Sequence, residues 1–290
     1  MTPSFDHLVK HLKNLGPFLF KPNAGNGGDA VIALATIQLF QKHNLEWQFY
    51  TPENYKTCKT LVYGGGGGLL KQYTAAANFI SAHSHDVTSF TLLPHSVSGH
   101  DRLLETMDNR FHLFARETYT YQHLKQTASP AHIYLSHDLA LNLDLSQLTL
   151  PEKTPFFMQG QPAHYNLHWL RRQCSLLSYF KQDNEIALFF RKDSEAKDSN
   201  LRHPNSIDLS HLVKGRLTNE IQIQAIATTF VSLINRCKHI KTDRLHIGIV
   251  AGLCQIPCDL YPGNNFKIEG IYEHSLKDSL ETIRLHASEC

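Results

Sequence analysis

Short apolar runs alternate with segments of helical periodicity through the first 140 residues of this 290-residue chain. That alternation leaves few architectures open, because strands separated by helices pair in parallel and are buried on both faces. Residues 18–21, 46–50, 60–63, 87–92, 111–115 and 132–135 read as strands. The loop Pro22-Asn23-Ala24-Gly25-Asn26-Gly27-Gly28 follows the first of them. Asp29 then opens a helix to about residue 42, with Val31, Leu34, Ala35 and Leu39 near helical spacing. Five glycines at 64–68 directly follow the strand 60–63, and a helix is expected from 69 to 82.

The length is about twice that of a usual domain, so two domains are expected. Residues 142–183 are less regular and carry Pro151, Pro155 and Pro162, which places the boundary near residue 150. The pattern then resumes. Strands are expected at 185–190, 206–209, 239–241 and 257–261, and helices at 218–236, capped by Thr218, and at 244–253. A terminal helix at 275–287 is expected to pack back on the first domain. The fold class is α/β, with Rossmann-like domains 1–150 and 151–290 facing a cleft.

Hydrophobic residues make up 42% and charged residues 19% of the chain, as in folded globular proteins. The net charge of +2 is too small for a general nucleic-acid binder. The six cysteines are too sparse for a disulfide framework, so reduced and mostly buried thiols are expected. The N-terminal segment reads as an amphipathic helix rather than a secretory leader. No stretch approaches the ~20 apolar residues of a membrane span. A soluble, cytoplasmic protein is expected.

Several segments carry chemistry. Loops such as Asn23–Asp29, between a strand and a helix, aim backbone N–H groups at anions. This one fits neither the dinucleotide fingerprint nor a P-loop, and its plain alternative is a tight turn with Asp29 as cap. A glycine run after a strand lets a ligand or another loop approach closely. Pro94-His95-Ser96-Val97-Ser98-Gly99 stands at a strand end, where open α/β sheets bind ligands. No nucleophile elbow surrounds Ser96. Ala115-Arg116-Glu117 and His137-Asp138 also stand at strand ends. Their alternatives are a structural ion pair and a cap or buried hydrogen bond.

Arg191-Lys192-Asp193 offers a cationic grip for carboxylate or phosphate, or a solvated charged loop. Thr242-Asp243-Arg244-Leu245-His246 is the most informative segment. Arg244 and His246 at a helix start suit an anion bound there, and His246 suits proton transfer. Lys267 adds a third cation for the same pocket. Cys254 with Cys258, and His83 with His85, lack the second pair a zinc site needs, so no metal is expected.

Taken in order, these segments resemble the polysaccharide pyruvyltransferase family. The resemblance rests on the Gly25–Asp29 loop, the glycines at 64–68 after Val62-Tyr63, Pro94–Gly99, Ala115-Arg116-Glu117, His137–Ala140, Arg191-Lys192-Asp193 and the stretch from Thr242-Asp243-Arg244-Leu245-His246 to Pro257. It covers roughly residues 18 to 270. The resemblance implies a two-domain fold of the GT-B type. It also implies transfer of a pyruvyl group from phosphoenolpyruvate to a sugar or lipid-linked glycan as a ketal, without metal or cofactor. The setting is capsule, exopolysaccharide or cell-wall glycan assembly, with peripheral membrane association through the acceptor.

By carry-over, Arg244 and His246 face phosphoenolpyruvate, with Arg191 and Lys267 as further donor-side candidates. Asn26, Gly27, Asp29, Gly65, Gly66, Gly67, His95, Ser96 and Arg116 complete the candidate substrate-binding set. Five glycines replace the family's three, His95 stands where Gln is common, and His137-Asp138-Leu139 stands where Asp-Pro-Ala is usual. These departures touch the acceptor side. The competing readings are a GT-B glycosyltransferase using a nucleotide sugar and a non-catalytic glycan-binding relative. No acidic ribose-binding residue follows the first glycine loop, which weighs against the former.

Overall fold

Seven strands of the N-terminal half pair in parallel: β1 (Phe18–Lys21), β2 (Trp47–Phe49), β3 (Thr60–Tyr63), β4 (Gly66–Leu69), β5 (Ser89–Val97), β6 (Phe111–Ala115) and β7 (His132–Leu135). The computed structural model describes residues 4–23, 25–128, 130–149, 167–182, 185–193, 196 and 205–286. The sheet order is β2-β1-β3-β5-β6-β7, with β4 paired to β5. The chain leaves β1 for β2 on one side and returns to β3 on the other. The loops after β1 and β3 therefore part at a topological switch point, the place where open parallel sheets hold ligands.

β1, β3 and β5 bury nearly every side chain, as expected of strands covered on both faces. Phe40 of the helix Gly27–Lys42 meets Phe18 and Phe20 edge-on, each with ring centres 5.2 Å apart. On the opposite face, Leu19, Leu61, Leu92 and Leu113 join one buried cluster with Ile80 of the helix Ala75–His83.

The second sheet holds β8 (Ala187–Phe189), β9 (Ile240–Thr242), β10 (Cys258–Leu260) and β11 (Ile283–Leu285), in the order β11-β10-β9-β8 and all parallel. The helix Leu245–Leu253 lies close to it. A Cβ on Gly248 would stand 3.3 Å from Leu260, and one on Gly252 would stand 2.8 Å from Ile283. The chain forms two compact units, Met1–Asn23 with Ala35–Leu143 and Ala24–Leu34 with Asp144–Cys290. The α/β class with parallel sheets is established.

Several local expectations are corrected. Residues 66–69 form β4 instead of opening a helix, which begins only at Ala75. Pro94 to Val97 belong to β5 and not to a loop. Pro94 lacks a ladder N–H, and the β5–β6 register shifts between Leu92 and His95 to accommodate it. Asn219, and not Thr218, caps the helix Glu220–Ile234, its side chain accepting from the Gln222 amide at 3.0 Å. The strand expected at 206–209 is a single bridge between Ile207 and Phe189.

The terminal helix is also overturned, as residues 283–285 are β11 on β10. Leu276 and Leu280 have helical spacing, but periodicity cannot separate a short apolar strand from a helix. Among the described residues the thiols are free, yet of these only Cys258 is buried. Cys58, Cys237 and Cys254 are half-buried and Cys174 is exposed.

The helix Asp6–Asn14 buries Leu8, Val9 and Leu12 and brings His7 and His11 against β6 and β7. The rings of His11 and His112 lie 4.3 Å apart, and His112 stacks on His132 at 4.7 Å. Burial, with mutual repulsion from the neighbouring histidines, lowers His11 and His112 to about 4. The unfolded chain thus binds protons that the folded one refuses. Stability is full above pH ~6.5 and lost as pH falls toward ~4. Screening of the half-exposed rings limits the loss to roughly 1–3 kcal/mol. Unfolding midpoints should therefore drop between pH 6.5 and 4.5 more steeply in the wild type than in a His11→Gln, His112→Gln variant. Parallel slopes would refute this.

Candidate active site

In a parallel sheet all strands end on one edge. β8, β9 and β10 deliver Arg191, Asp243 with Arg244, and the loop leading to Lys267 to that edge of the second unit. Thr242 pins the turn after β9. Its hydroxyl donates to the Phe189 carbonyl at 2.6 Å and accepts from the Arg244 amide at 2.9 Å. The Arg191 amide donates to Asp243 at 2.8 Å. Burial pushes the Asp243 carboxyl up to about 6, against the pull of that amide and of Arg191 and Arg244.

The two guanidinium groups share a carboxylate. Arg191 Nε donates to Asp193 Oδ1 at 2.9 Å, and Arg244 Nη2 donates to Asp193 Oδ2 at 2.9 Å. Arg244 also grips Asp208 in a fork, through Nε at 3.1 Å and through Nη2. Asp208 accepts as well from the amides of Lys192 and His211. Arg191, Arg244 and Asp208 are buried, as is Lys267 at the start of the helix Lys267–Ile271. Sequence reading missed Asp208, whose only local signal is its position one residue before the helix Leu209–Leu212, as its cap. Asp193 was grouped with its cationic neighbours without a role as their shared acceptor.

The glycine loop joins this site. The side chain of Asp29 accepts from the Asn26 amide at 2.9 Å, and that of Asn26 accepts from the Gly28 amide at 2.8 Å. Two N–H groups that the loop offers an anion are thus taken by its own side chains, and Asp29 serves as the turn's internal acceptor. What the glycines permit is contact. A Cβ on Gly28 would stand 2.5 Å from His246 Nδ1, and one on Gly27 would stand 2.5 Å from the Phe230 ring. His246, in the first turn of Leu245–Leu253, therefore lies directly against the loop backbone.

The other candidates gather in the first unit. Gly64 and Gly68 make room for Asn23. Added Cβ atoms would stand 2.6 Å from its amide nitrogen and 2.6 Å from its Oδ1, and the Tyr63 hydroxyl donates to that Oδ1 at 3.2 Å. Gly65 is buried, Gly66 (φ +140°) pairs with His95, and Gly67 is half-buried within β4. His95 and Ser96 are fully buried in β5. Arg116 is 1% exposed and donates to Ser96 Oγ at 2.9 Å and to Asp138 at 2.6 Å. Asp138 also accepts from the Ala140 amide at 2.9 Å. Glu117 caps the helix Thr118–Thr127. The structure thus joins three sequence segments in one buried network, with Asp138 rather than Glu117 as the partner of Arg116. Among the described residues no cluster of three or more His, Cys, Asp or Glu is placed to hold a metal.

The family described as polysaccharide pyruvyl transferase matches residues 26–258 of the chain. The crystal structure of a functional uncharacterized protein from Klebsiella pneumoniae subsp. pneumoniae NTUH-K2044 matches with a TM-score of 0.76 at 24% identity, covering 98% of this chain and 97% of that one. That likeness concerns the fold. No curated protein matches the chain.

Proposed function

Since the chain belongs to the polysaccharide pyruvyl transferase family, we propose that it moves the pyruvyl group of phosphoenolpyruvate onto two hydroxyls of a sugar as a ketal, in surface-polysaccharide or cell-wall glycan assembly. Polysaccharide pyruvylation in general follows from the membership. The observation that carries the proposal is the convergence of Arg191, Arg244 and His246 at one sheet edge.

Phosphoenolpyruvate carries a carboxylate and a phosphate, so its site needs forked cations. Arg244 commits Nε and Nη2 to Asp208 and Asp193, while Nη1 donates to nothing among the described residues. The two carboxylates hold the guanidinium in place, and Nη1 is the edge offered to a substrate oxygen. Arg191 is aligned by the same Asp193, and Lys267 adds a further cation at the start of the helix that follows β10.

In the reaction, C3 of phosphoenolpyruvate gains a proton and becomes a methyl group. The two sugar oxygens bond to C2, and the C2–O bond to phosphate breaks. One hydroxyl proton balances the methyl group and the other leaves with inorganic phosphate. His246 is the acid for C3, held at a fixed distance by the Gly28 backbone. In this reading the two units are the halves of a GT-B-like transferase, the second for the donor and the first for the acceptor. The enzyme works in the cytoplasm and meets a lipid-linked or nucleotide-linked acceptor there. No helix among the described residues is long and apolar enough to cross a membrane.

The test is phosphate release from phosphoenolpyruvate with sugar nucleotides and lipid-linked glycans as acceptors. His246→Ala is expected to lose at least ~10²-fold in turnover, the scale of general acid catalysis, with an unchanged thermal midpoint. Near-full activity in that variant would remove His246 from the mechanism. Calorimetric binding of a nucleotide sugar without binding of phosphoenolpyruvate would replace the reading by glycosyl transfer.

A further inference from the structure

Lys21 is the last residue of β1, at the switch point of the first sheet. It is half-buried, and no carboxylate among the described residues pairs with it. Its Nζ lies 5.9 Å from the ring centre of Tyr50 and 6.0 Å from that of Phe79. These distances are at the outer limit of cation–π attraction, so the rings return little of the cost of desolvating an ammonium. Burial accordingly lowers the Lys21 pKa, with no opposing charge to restore it.

The surrounding polar groups are committed elsewhere. His83 Nδ1 donates to the Phe79 carbonyl at 2.7 Å, which leaves Nε2 to accept from the Tyr50 hydroxyl at 2.9 Å. Asp86 binds Lys59 and accepts from the Tyr55 hydroxyl at 2.7 Å. Next to Lys21 in space, Tyr63 ends β3 and holds Asn23. A cation kept half out of water, at the switch-point end of a parallel strand and without a counter-ion among the described residues, fits a site whose anion arrives with the substrate.

We propose that Lys21 is the acceptor-side anion contact, taking a phosphate carried by the acceptor sugar, with the Tyr50 and Phe79 rings beside it. The assignment to the acceptor rests on the pyruvyl-transfer reading; the phosphate site itself does not. A phosphate on a sugar belongs either to a nucleotide carrier or to a lipid diphosphate, and the chemistry at Lys21 is the same for both.

The test is calorimetry on the full chain. Hexose 1-phosphates are compared with the corresponding methyl glycosides, then uridine-diphosphate hexoses with short-chain prenyl-diphosphate hexoses. Wild type should prefer the phosphates by about tenfold or more, the scale of one charge-assisted contact. Lys21→Met should lose that preference, and Lys21→Arg should keep most of it. The thermal midpoints of the two variants separate loss of the site from loss of the fold, and Lys21→Gln replaces Lys21→Met if the latter unfolds.

Phosphoenolpyruvate affinity should be unchanged in Lys21→Met and lost in Arg244→Ala. No phosphate preference in wild type, or an intact preference in Lys21→Met, overturns the proposal. Loss of phosphoenolpyruvate binding in Lys21→Met alone places the donor at Lys21 and also overturns it. If hexose phosphates bind through Lys21 while phosphoenolpyruvate binds to no variant or wild type, the pyruvyl-transfer reading fails and the phosphate site stands.

Discussion

Replacing Arg116 by alanine lowers the stability of the protein by roughly 3–5 kcal/mol, because it leaves the Asp138 carboxylate charged and buried without its partner. Both side chains are 1% exposed, so solvent cannot take over the lost bond. Arg116 also donates to Ser96, which ties β5 to the segment after β7. Denaturant titration at pH 7 measures the loss. A double variant, Arg116→Met with Asp138→Asn, removes both charges and keeps an acceptor for the Ala140 amide. It should recover at least ~1 kcal/mol of the single-variant loss, since a buried pair costs most when only one member goes. A single-variant loss below ~1 kcal/mol would show that the pair is solvated.

Arg244→Ala, by contrast, is expected on the proposed role of Arg244 to act on turnover more than on stability. Asp208 keeps the amides of Lys192 and His211 after the change, so the folded state should lose only about 2 kcal/mol. Pyruvyl transfer should fall by ~10³-fold, equivalent to roughly 4 kcal/mol of transition-state stabilisation. Arg244→Lys should rescue little, because an ammonium cannot hold Asp208 in a fork while presenting a second edge to the substrate. Phosphate-release kinetics well below the thermal midpoint, together with phosphoenolpyruvate affinity, separate these effects. Lysine rescue to within tenfold of wild type would mean that only the charge matters.

Much of the fold was legible because its central strands β1, β3, β5 and β6 are buried on both faces. Continuous apolar runs at Phe18–Lys21, Thr60–Tyr63, Phe111–Ala115 and His132–Leu135 stand out against polar loops, and their bounds agree with the strands. The segment Thr242 to His246 was legible as a strand end turning into a helix. The glycines at 64–68 announced a close approach, and the visitor proved to be Asn23.

Less legible were segments whose state depends on a partner strand. β4 has hardly any side chains to pattern and exists because β5 pairs with it. β11 reads as part of a helix until β10 is there to bond it.

By itself, the sequence determined the periodicity and punctuation of the chain. It specified the buried strands such as β1, β3 and β6, where close approach needs glycine, and that Arg244 and His246 stand at a helix start. Those are local properties of successive residues. Only the tertiary structure decided that Gly28 meets His246, that Asp193 serves two arginines, and that Asp208, 36 positions before Arg244, holds it in a fork. It likewise decided that Arg116 is sealed against Asp138 and that Lys21 stands half-buried beside two rings. Parallel pairing carries the ends of distant strands to one edge, and neither the charge a side chain meets there nor its burial is encoded in its neighbours along the chain.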